Sequence, residues 1–395
     1  MPHVFRYDDA GAPTVNAATV GSFLAMFRAC MVDGYNSKTI TITRSGATAT
    51  AACTAHGFIA GQIVAISGAG ESEYNGNFTV LTAAANDFTF EVSGSPATPA
   101  TGTITCKVAP AGWTEEYTGT NVAAFRSSPT GGTGCYVEIS DTVNTVGVYP
   151  VTITAYSTMT AISTGSNATA SVYAGRRPRN SGSDNLQWVL VADAHTFYVM
   201  GRGAVSTKYM LAGAGDIEPL VAGDAYAYGT WGDFSTSVSF NSPPTGLLAN
   251  SNSTFFAFGG PPGAAPTSTG YVSLGRDYTG TGTEARHSLF GPTVYTTGAP
   301  STNGYLGGDN FPARPAANGA PEAAMPAYVC RGQVIRGKLR GVYLPFSNLS
   351  AFAAGTIGSV VTAPDFGGVG SVAMPMLCGG SSPYGGYWVE VGLDW

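Results

Sequence analysis

Four stretches of this 395-residue chain carry side chains in the order that reactive or ligand-binding groups often take. Gly332-Gln333-Val334-Ile335-Arg336-Gly337-Lys338-Leu339 approaches the phosphate-loop pattern, in which glycines let backbone N–H groups cradle phosphate and a Ser or Thr hydroxyl holds the metal. Leu339 stands where that hydroxyl belongs, and the flanking residues alternate like a strand, so the segment reads as β structure. Asp193 and His195 could form an acid–base pair beside a serine nucleophile. Both fall in an expected hairpin turn, however, and no serine stands in a Gly-x-Ser-x-Gly elbow, so a turn hydrogen bond is the expectation. Glu71 with Glu73, and Glu115 with Glu116, have the composition of paired glycosidase carboxylates, whose spatial separation sets the mechanism. Sequence neighbours supply no such separation, and exposed turn or strand carboxylates are expected. His3, His56, His195 and His287 are scattered, and Cys30, Cys53, Cys106, Cys135, Cys330 and Cys378 include no CxxC pair. No metal, cofactor or catalytic residue is therefore assigned, and the cysteines are expected to be reduced and mostly buried.

Groups suited to binding are easier to find. Arg176, Arg177 and Arg179, with Arg331, Arg336, Lys338 and Arg340, hold seven of the 18 Lys and Arg. Arg336, Lys338 and Arg340 fall at alternate positions of one expected strand, as a ribbon that could meet an acidic subunit or an anionic glycan, or simply a solvated face that discourages edge pairing. Glu71, Glu73 and Tyr74 mark an expected exposed turn. Trp231 and Tyr384, with neighbouring Tyr226, Tyr228, Tyr387 and Trp388, could stack on sugars or on another subunit. A net charge of −6 and a pI near 5.2 argue against nucleic acid as the main partner.

The elements that must position these groups are strands. Gly (54) and Pro (24) are abundant, charged residues make only 11% of the chain, and the apolar residues come in short runs between turns. Hydrophobic content of 44% excludes disorder, and glycine without a period of three excludes collagen. No run of about 18 apolar residues is present to span a bilayer. Met1–Asp9 lacks the basic-then-apolar order of a secretory signal, which predicts synthesis and assembly in a cytoplasm.

One helix is expected between Thr14 and Asp33, from the stripe Val20, Phe23, Leu24, Phe27 and Met31, with Thr14 or Thr19 as its cap. Residues 38–109 then alternate strictly (Ile40 and Ile42; Ala47 to Cys53; Phe88, Phe90 and Val92; Ile104, Cys106 and Val108) and read as a self-contained β module. Residues 110–205 form a first part of a β body, with strands at Tyr136–Ser140 and Val151–Tyr156 and a hairpin from Trp188 to Met200. Residues 206–395 form a second, Gly/Pro/Tyr-rich part closing on the alternation Tyr387, Val389, Val391, Leu393, Trp395, which would tie down the end of the chain. The fold class is mainly β: an antiparallel sandwich body with residues 1–37 contributing one helix, and an inserted small barrel or sandwich.

Val4 to Gly34, Gly112-Trp113-Thr114-Glu115-Glu116-Tyr117-Thr118-Gly119-Thr120-Asn121, Ala124-Phe125-Arg126, Leu190 to Tyr198, Gly215-Asp216-Ile217, Ala222 to Tyr226 and Ile335 to Pro345 together resemble a family of tailed-bacteriophage virion proteins. In that family the helix runs almost directly into the Gly-Trp strand, which implies that 38–109 is an insertion. The insertion itself resembles small β modules of phage tail proteins, through His56 to Val64, Tyr74 to Val80, Phe88-Thr89-Phe90 and Thr98 to Thr103. The resemblance implies a non-enzymatic structural protein of the virion, in the baseplate, tail tip or fibre, assembled with other phage structural proteins and open to attachment at a host-surface glycan. A capsid-decoration or head-associated protein is the alternative, and a glycan-binding adhesin or depolymerase-like enzyme is the second. The weakly charged segments Ala257 to Gly275 and Asn310 to Pro326 are expected at contacts of a homo-oligomer, a trimer by analogy with phage appendages, with Glu71 to Asn77 pointing outward.

Overall fold

The computed structural model describes residues 1–16, 19–142, 151–174, 185–203, 209–232, 272–276, 285–290, 324–331, 334–345, 361–363, 371–378, 385–392 and 395. Among these the chain is mainly β, and every strand pairing is antiparallel. Arg176, Arg177, Arg179 and Tyr384, and nearly all of 257–275 and 310–326, lie outside the described residues.

The N-terminal strand His3–Arg6 joins one edge of a twelve-stranded sheet by pairing with Leu186–Ala192. The helix follows, but it is shorter than the apolar stripe implies. Helix α1 covers Ser22–Arg28 and widens into one π-helical turn, Ala29–Asp33, closed by Gly34 N–H to the Ala29 carbonyl at 2.8 Å. Neither Thr14 nor Thr19 caps it. Gly21 occupies the N-cap with no side chain to offer, and Asp141 Oδ2 accepts the Phe23 N–H instead. On the buried face, Phe27 stands edge-on to Phe125 at 5.0 Å and to Phe197 at 4.7 Å, joining two different sheets.

Residues Tyr35–Val108 build a separate seven-stranded sheet. The period-two pattern explains it: Ile40, Ile42, Ala49, Ala51, Phe88, Phe90, Ile104 and Cys106 all face inward. Chain entry and exit are adjacent, because Ala111 and Trp113 return to donate their N–H groups to the carbonyls of Cys30 and Met31. The module's core is nevertheless continuous with that of the body, through Phe5, Cys30, Met31 and Tyr35. Polar contacts line the same junction, with Tyr35 Oη donating to Asp9 Oδ2 at 2.7 Å and His3 Nδ1 within 3.0 Å of the Ala109 carbonyl.

Five strands from Thr114–Gly119 to Val172–Ala174 form a third sheet, with Tyr136–Ser140 and Val151–Tyr156 at the expected positions. The large sheet passes beneath it. In the hairpin Leu186–Ala192/Thr196–Gly203, Trp188, Leu190, Ala192, Phe197 and Val199 pack toward α1 and the five-stranded sheet. Val189, Val191, Tyr198 and Met200 face the other way, into a second core with Leu339, Met374, Met376, Tyr387 and Val389 from the far end of the same sheet. The sheet thus curls back over itself, and its central strands are buried on both faces. Such strands read as unbroken apolar runs, as in Trp188 to Ala192.

At the far end, the last strand stops at Glu390 rather than running on. Trp395 folds back to stand edge-on to Tyr198 at 5.4 Å.

Candidate functional site

Several of the patches that carry the sequence resemblance meet at the turn after Leu186–Ala192. Asp193 Oδ1 accepts the N–H groups of His195 (2.8 Å) and Thr196 (2.7 Å), the turn hydrogen bond expected from the spacing. The indole of Trp113 donates to the Asp193 carbonyl at 2.8 Å, so the Gly-Trp segment is anchored on the same turn.

The Asp193 carboxylate bonds the backbone of His195 and not its imidazole. The imidazole Nδ1 instead stands 3.6 Å from Oδ2 of the buried Asp216. Asp216 in turn accepts Thr133 Oγ1 at 2.5 Å and Thr133 N–H at 3.0 Å, while its carbonyl accepts Thr196 Oγ1 at 2.6 Å. The separation of His195 from Asp216 is too long for a hydrogen bond and leaves His195 Nδ1 without a partner, so the carboxylate does not orient the imidazole as in a hydrolytic triad. The Thr133 hydroxyl is committed to Asp216. Cys135 is fully buried, and burial pushes its thiol well above the ordinary range, so it is held neutral beside Ser127. Gly132 packs directly on the pair: a Cβ there would collide with both Asp216 Oδ2 and His195 Nδ1. The arrangement is a clasp between the 131–134 loop and the large sheet.

The basic ribbon is a second clasp, and here the expectation of a surface fails. Arg336 is 5% exposed and grips Asp224 with two hydrogen bonds, Nε to Oδ2 at 2.7 Å and Nη2 to Oδ1 at 3.1 Å, while Nη1 donates to the Arg276 carbonyl. Arg340 reaches the Trp395 carbonyl at 2.7 Å and lies 3.5 Å from Asp193 Oδ2. Only Lys338 meets solvent, paired with Glu218 at 3.0 Å. The reason is pairing on both sides of Val334–Pro345: Tyr209–Pro219 lies along one edge and Ala324–Arg331 along the other, which sets the two guanidinium groups under neighbouring loops. The segment that approached a phosphate-loop pattern is therefore strand from Val334 onward.

Two expected surface aromatics are also internal. Trp231 is fully buried against Tyr198 (5.5 Å), and Tyr74 is fully buried with its hydroxyl on the Ala97 carbonyl at 3.0 Å. In each case an aromatic ring among Gly and Ser fills space that small neighbours leave. Glu73 is exposed, and Glu71 ties down the next loop by accepting Thr101 N–H (2.9 Å) and Thr101 Oγ1 (3.0 Å), which hold its carboxyl below the usual range. Glu115 pairs with Arg28 through both oxygens, and Glu116 faces away, so neither glutamate pair forms a two-carboxylate centre.

Asp141, Asp216, Asp224, Thr133 and Asn167 were not singled out by the sequence. Asp216 and Asp224 lay inside family-like patches without a role. Asn167 shows how little local signal such residues carry: its carbonyl accepts Tyr228 Oη, its Oδ1 accepts Arg276 Nε, and its Nδ2 donates to Ser157, all partners distant in sequence or specified by none of its neighbours. Among the described residues, no group of three or more His, Cys, Asp or Glu could hold a metal ion, and no helix is long and apolar enough to cross a membrane.

No family model matches the chain, and no curated protein is similar to it. Among solved structures, the phage phi92 endosialidase matches over 91% of this chain and 52% of its own, at 13% identity and a TM-score of 0.17. This chain thus spans about half the length of that protein, and a likeness so slight carries no argument about fold or function.

Proposed function

We propose that the chain is a non-enzymatic structural protein of a tailed-bacteriophage particle, placed in the tail apparatus and assembled in several copies with other virion proteins. One observation carries this reading. The residue patches that resemble phage virion proteins, spread from Trp113 to Arg340, are joined by Trp113–Asp193, Asp193–Arg340, His195–Asp216 and Asp224–Arg336. Most of their polar groups are taken up in these contacts, although His195 Nδ1 and Arg340 Nε are buried without a hydrogen-bond partner. These contacts fasten the loops of the large sheet to one another and tie the Gly-Trp segment at the start of the five-stranded sheet to it, which suits a load-bearing particle component.

Immunogold labelling of intact particles with an antibody to this chain tests the reading. Gold at the baseplate, tail tip or fibres is expected. Gold on heads replaces it with the head-associated alternative, and particles without label and without this chain by mass spectrometry overturn it.

A further inference from the structure

The root of the module Tyr35–Val108 lies beside the N-terminal strand His3–Arg6, and a titratable side chain holds each of its two ends. At the entry, Tyr35 Oη donates to Asp9 Oδ2. At the exit, His3 Nδ1 meets the Ala109 carbonyl at 3.0 Å, and since a carbonyl can only accept, Nδ1 carries the proton of that bond. The Phe5 ring stands between the two ends, 5.8 Å from the imidazole and 6.2 Å from the Tyr35 ring. The exit peptide is fixed from its other side as well, because Ala109 N–H donates to the Ile63 carbonyl at 3.0 Å.

His3 is poorly placed to become charged. It is partly buried, and the charged groups it faces are the Met1 amino group, just ahead of its own strand, and Asp193, one residue beyond the Ala192 with which it pairs across the sheet. The amino group repels a second positive charge. Asp193 attracts one, but its Oδ1 already accepts the His195 and Thr196 N–H groups and its Oδ2 lies 3.5 Å from Arg340. On the module side, Lys107 turns its Nζ to the Asp33 carbonyl, and Ala109 offers His3 a carbonyl and no charge. Burial accordingly lowers the proton affinity of the imidazole below its ordinary value, and the bond to Ala109 restores part of it.

We infer that the root of the module is an acid-sensitive joint, held closed by the neutral His3 imidazole and loosened at its exit when that ring takes up a proton. A charged imidazole gains more from water than from this site, so protonation favours the opened exit. The stabilisation is complete above the ordinary value near 6.5 and is lost as pH falls through the lower folded value. Asp9, whose carboxyl burial shifts upward, responds at the entry with the opposite sign. Acid therefore acts on the exit peptide while it favours the protonated, closed entry. This behaviour belongs to the chain itself and is independent of its place in a particle.

Hydrogen exchange of the full chain, read by mass spectrometry at pH 7.5 and 5.0 and corrected for intrinsic exchange rates, is the test. Ala111 and Trp113 N–H, which donate to the Cys30 and Met31 carbonyls, report on the exit. Relative to the amides of the strand Val122–Arg126, their protection should fall about tenfold in acid, within the roughly thirtyfold that about 1.5 pH units below an unfolded value of 6.5 allow. His3→Asn keeps a donor at the Nδ1 position and cannot take up a proton, and it should show the same protection at both pH values. Near-ultraviolet circular dichroism shows whether that variant keeps its packed core. Independently of any variant, the His3 ring resonances of the wild-type chain should titrate with a midpoint below 6.5. Equal wild-type protection at the two pH values, an acid loss that persists in His3→Asn, a loss shared equally by Val122–Arg126, or a His3 midpoint at or above 6.5 each overturns the joint.

Discussion

Asp141 Oδ2 accepts the backbone N–H of Phe23 at 3.0 Å, so a buried carboxylate from beyond the strand Tyr136–Ser140 caps α1, the one α-helix among the described residues, from 118 positions away. The helix brings no cap of its own, and this contact orients Phe27 between two sheets. Asp141→Ala should cost about 1–3 kcal/mol, by leaving a buried donor unpaired, with a matching fall in the urea midpoint. Unchanged stability would show that water replaces the carboxylate.

The two ends of the basic strand should respond differently to loss of charge. Arg336→Met leaves Asp224 without its buried partner, and a loss of about 3–5 kcal/mol is expected. Lys338→Met removes a half-exposed pair and should change stability by less than about 1 kcal/mol. Equal effects in chemical denaturation would contradict the burial of Arg336.

Asp9 supplies a pH dependence with a definite sign. Burial raises its carboxyl above the ordinary value, and the hydrogen bonds from Tyr35 Oη and Arg6 N–H offset only part of that. The folded state therefore holds this proton more tightly than the unfolded chain. The resulting stabilisation is complete below the unfolded value near 3.8 and is lost as pH rises through the higher folded value. Asp9→Asn should gain stability relative to wild type as pH rises from about 4 to 7. A difference that stays flat or falls over that range, in denaturation curves at several pH values, would sink this assignment.

Gly341 has a φ of +62°, and a Cβ there would collide with the Trp395 indole, itself fixed by Nε1 donation to the Glu390 carbonyl at 2.8 Å. Gly341→Ala should cost roughly 2–4 kcal/mol, from left-handed backbone plus overpacking. In a Trp395→Ala background the clash disappears, and the same substitution should cost only the backbone share. Additive effects in the thermal or urea midpoints would rule out the contact.

The thiols offer a chemical test of packing. Cys30 and Cys135 are fully buried with thiols pushed well above the ordinary range, and burial pushes Cys106 up to about 12. Cys53 is partly exposed and free. Alkylation of the native protein followed by peptide mass spectrometry should modify Cys53 first, with Cys30, Cys106 and Cys135 reacting only on unfolding. Early labelling of Cys135 would mean that the 131–134 loop opens.

Much of this architecture is written in local pattern. Alternation across 38–109 places Ile40, Phe88, Phe90 and Ile104 on one face, because successive strand side chains must point to opposite sides, and Asp193 marks its turn because a short carboxylate bonds its own backbone two residues on. Pattern of that kind says which residues share a face. It says nothing of what covers the face. Arg336, Arg340 and Trp231 stand where an exposed ribbon and an exposed ring were equally consistent with their neighbours, and the curling of the twelve-stranded sheet over itself made them interior. The same holds for the cap on α1 and for the Asp216–His195–Thr133 clasp, in which Thr133 and Asp216 lie 83 positions apart. Hydrogen bonds between such distant groups depend on how layers stack, and stacking is a property of the assembled surfaces rather than of any one segment.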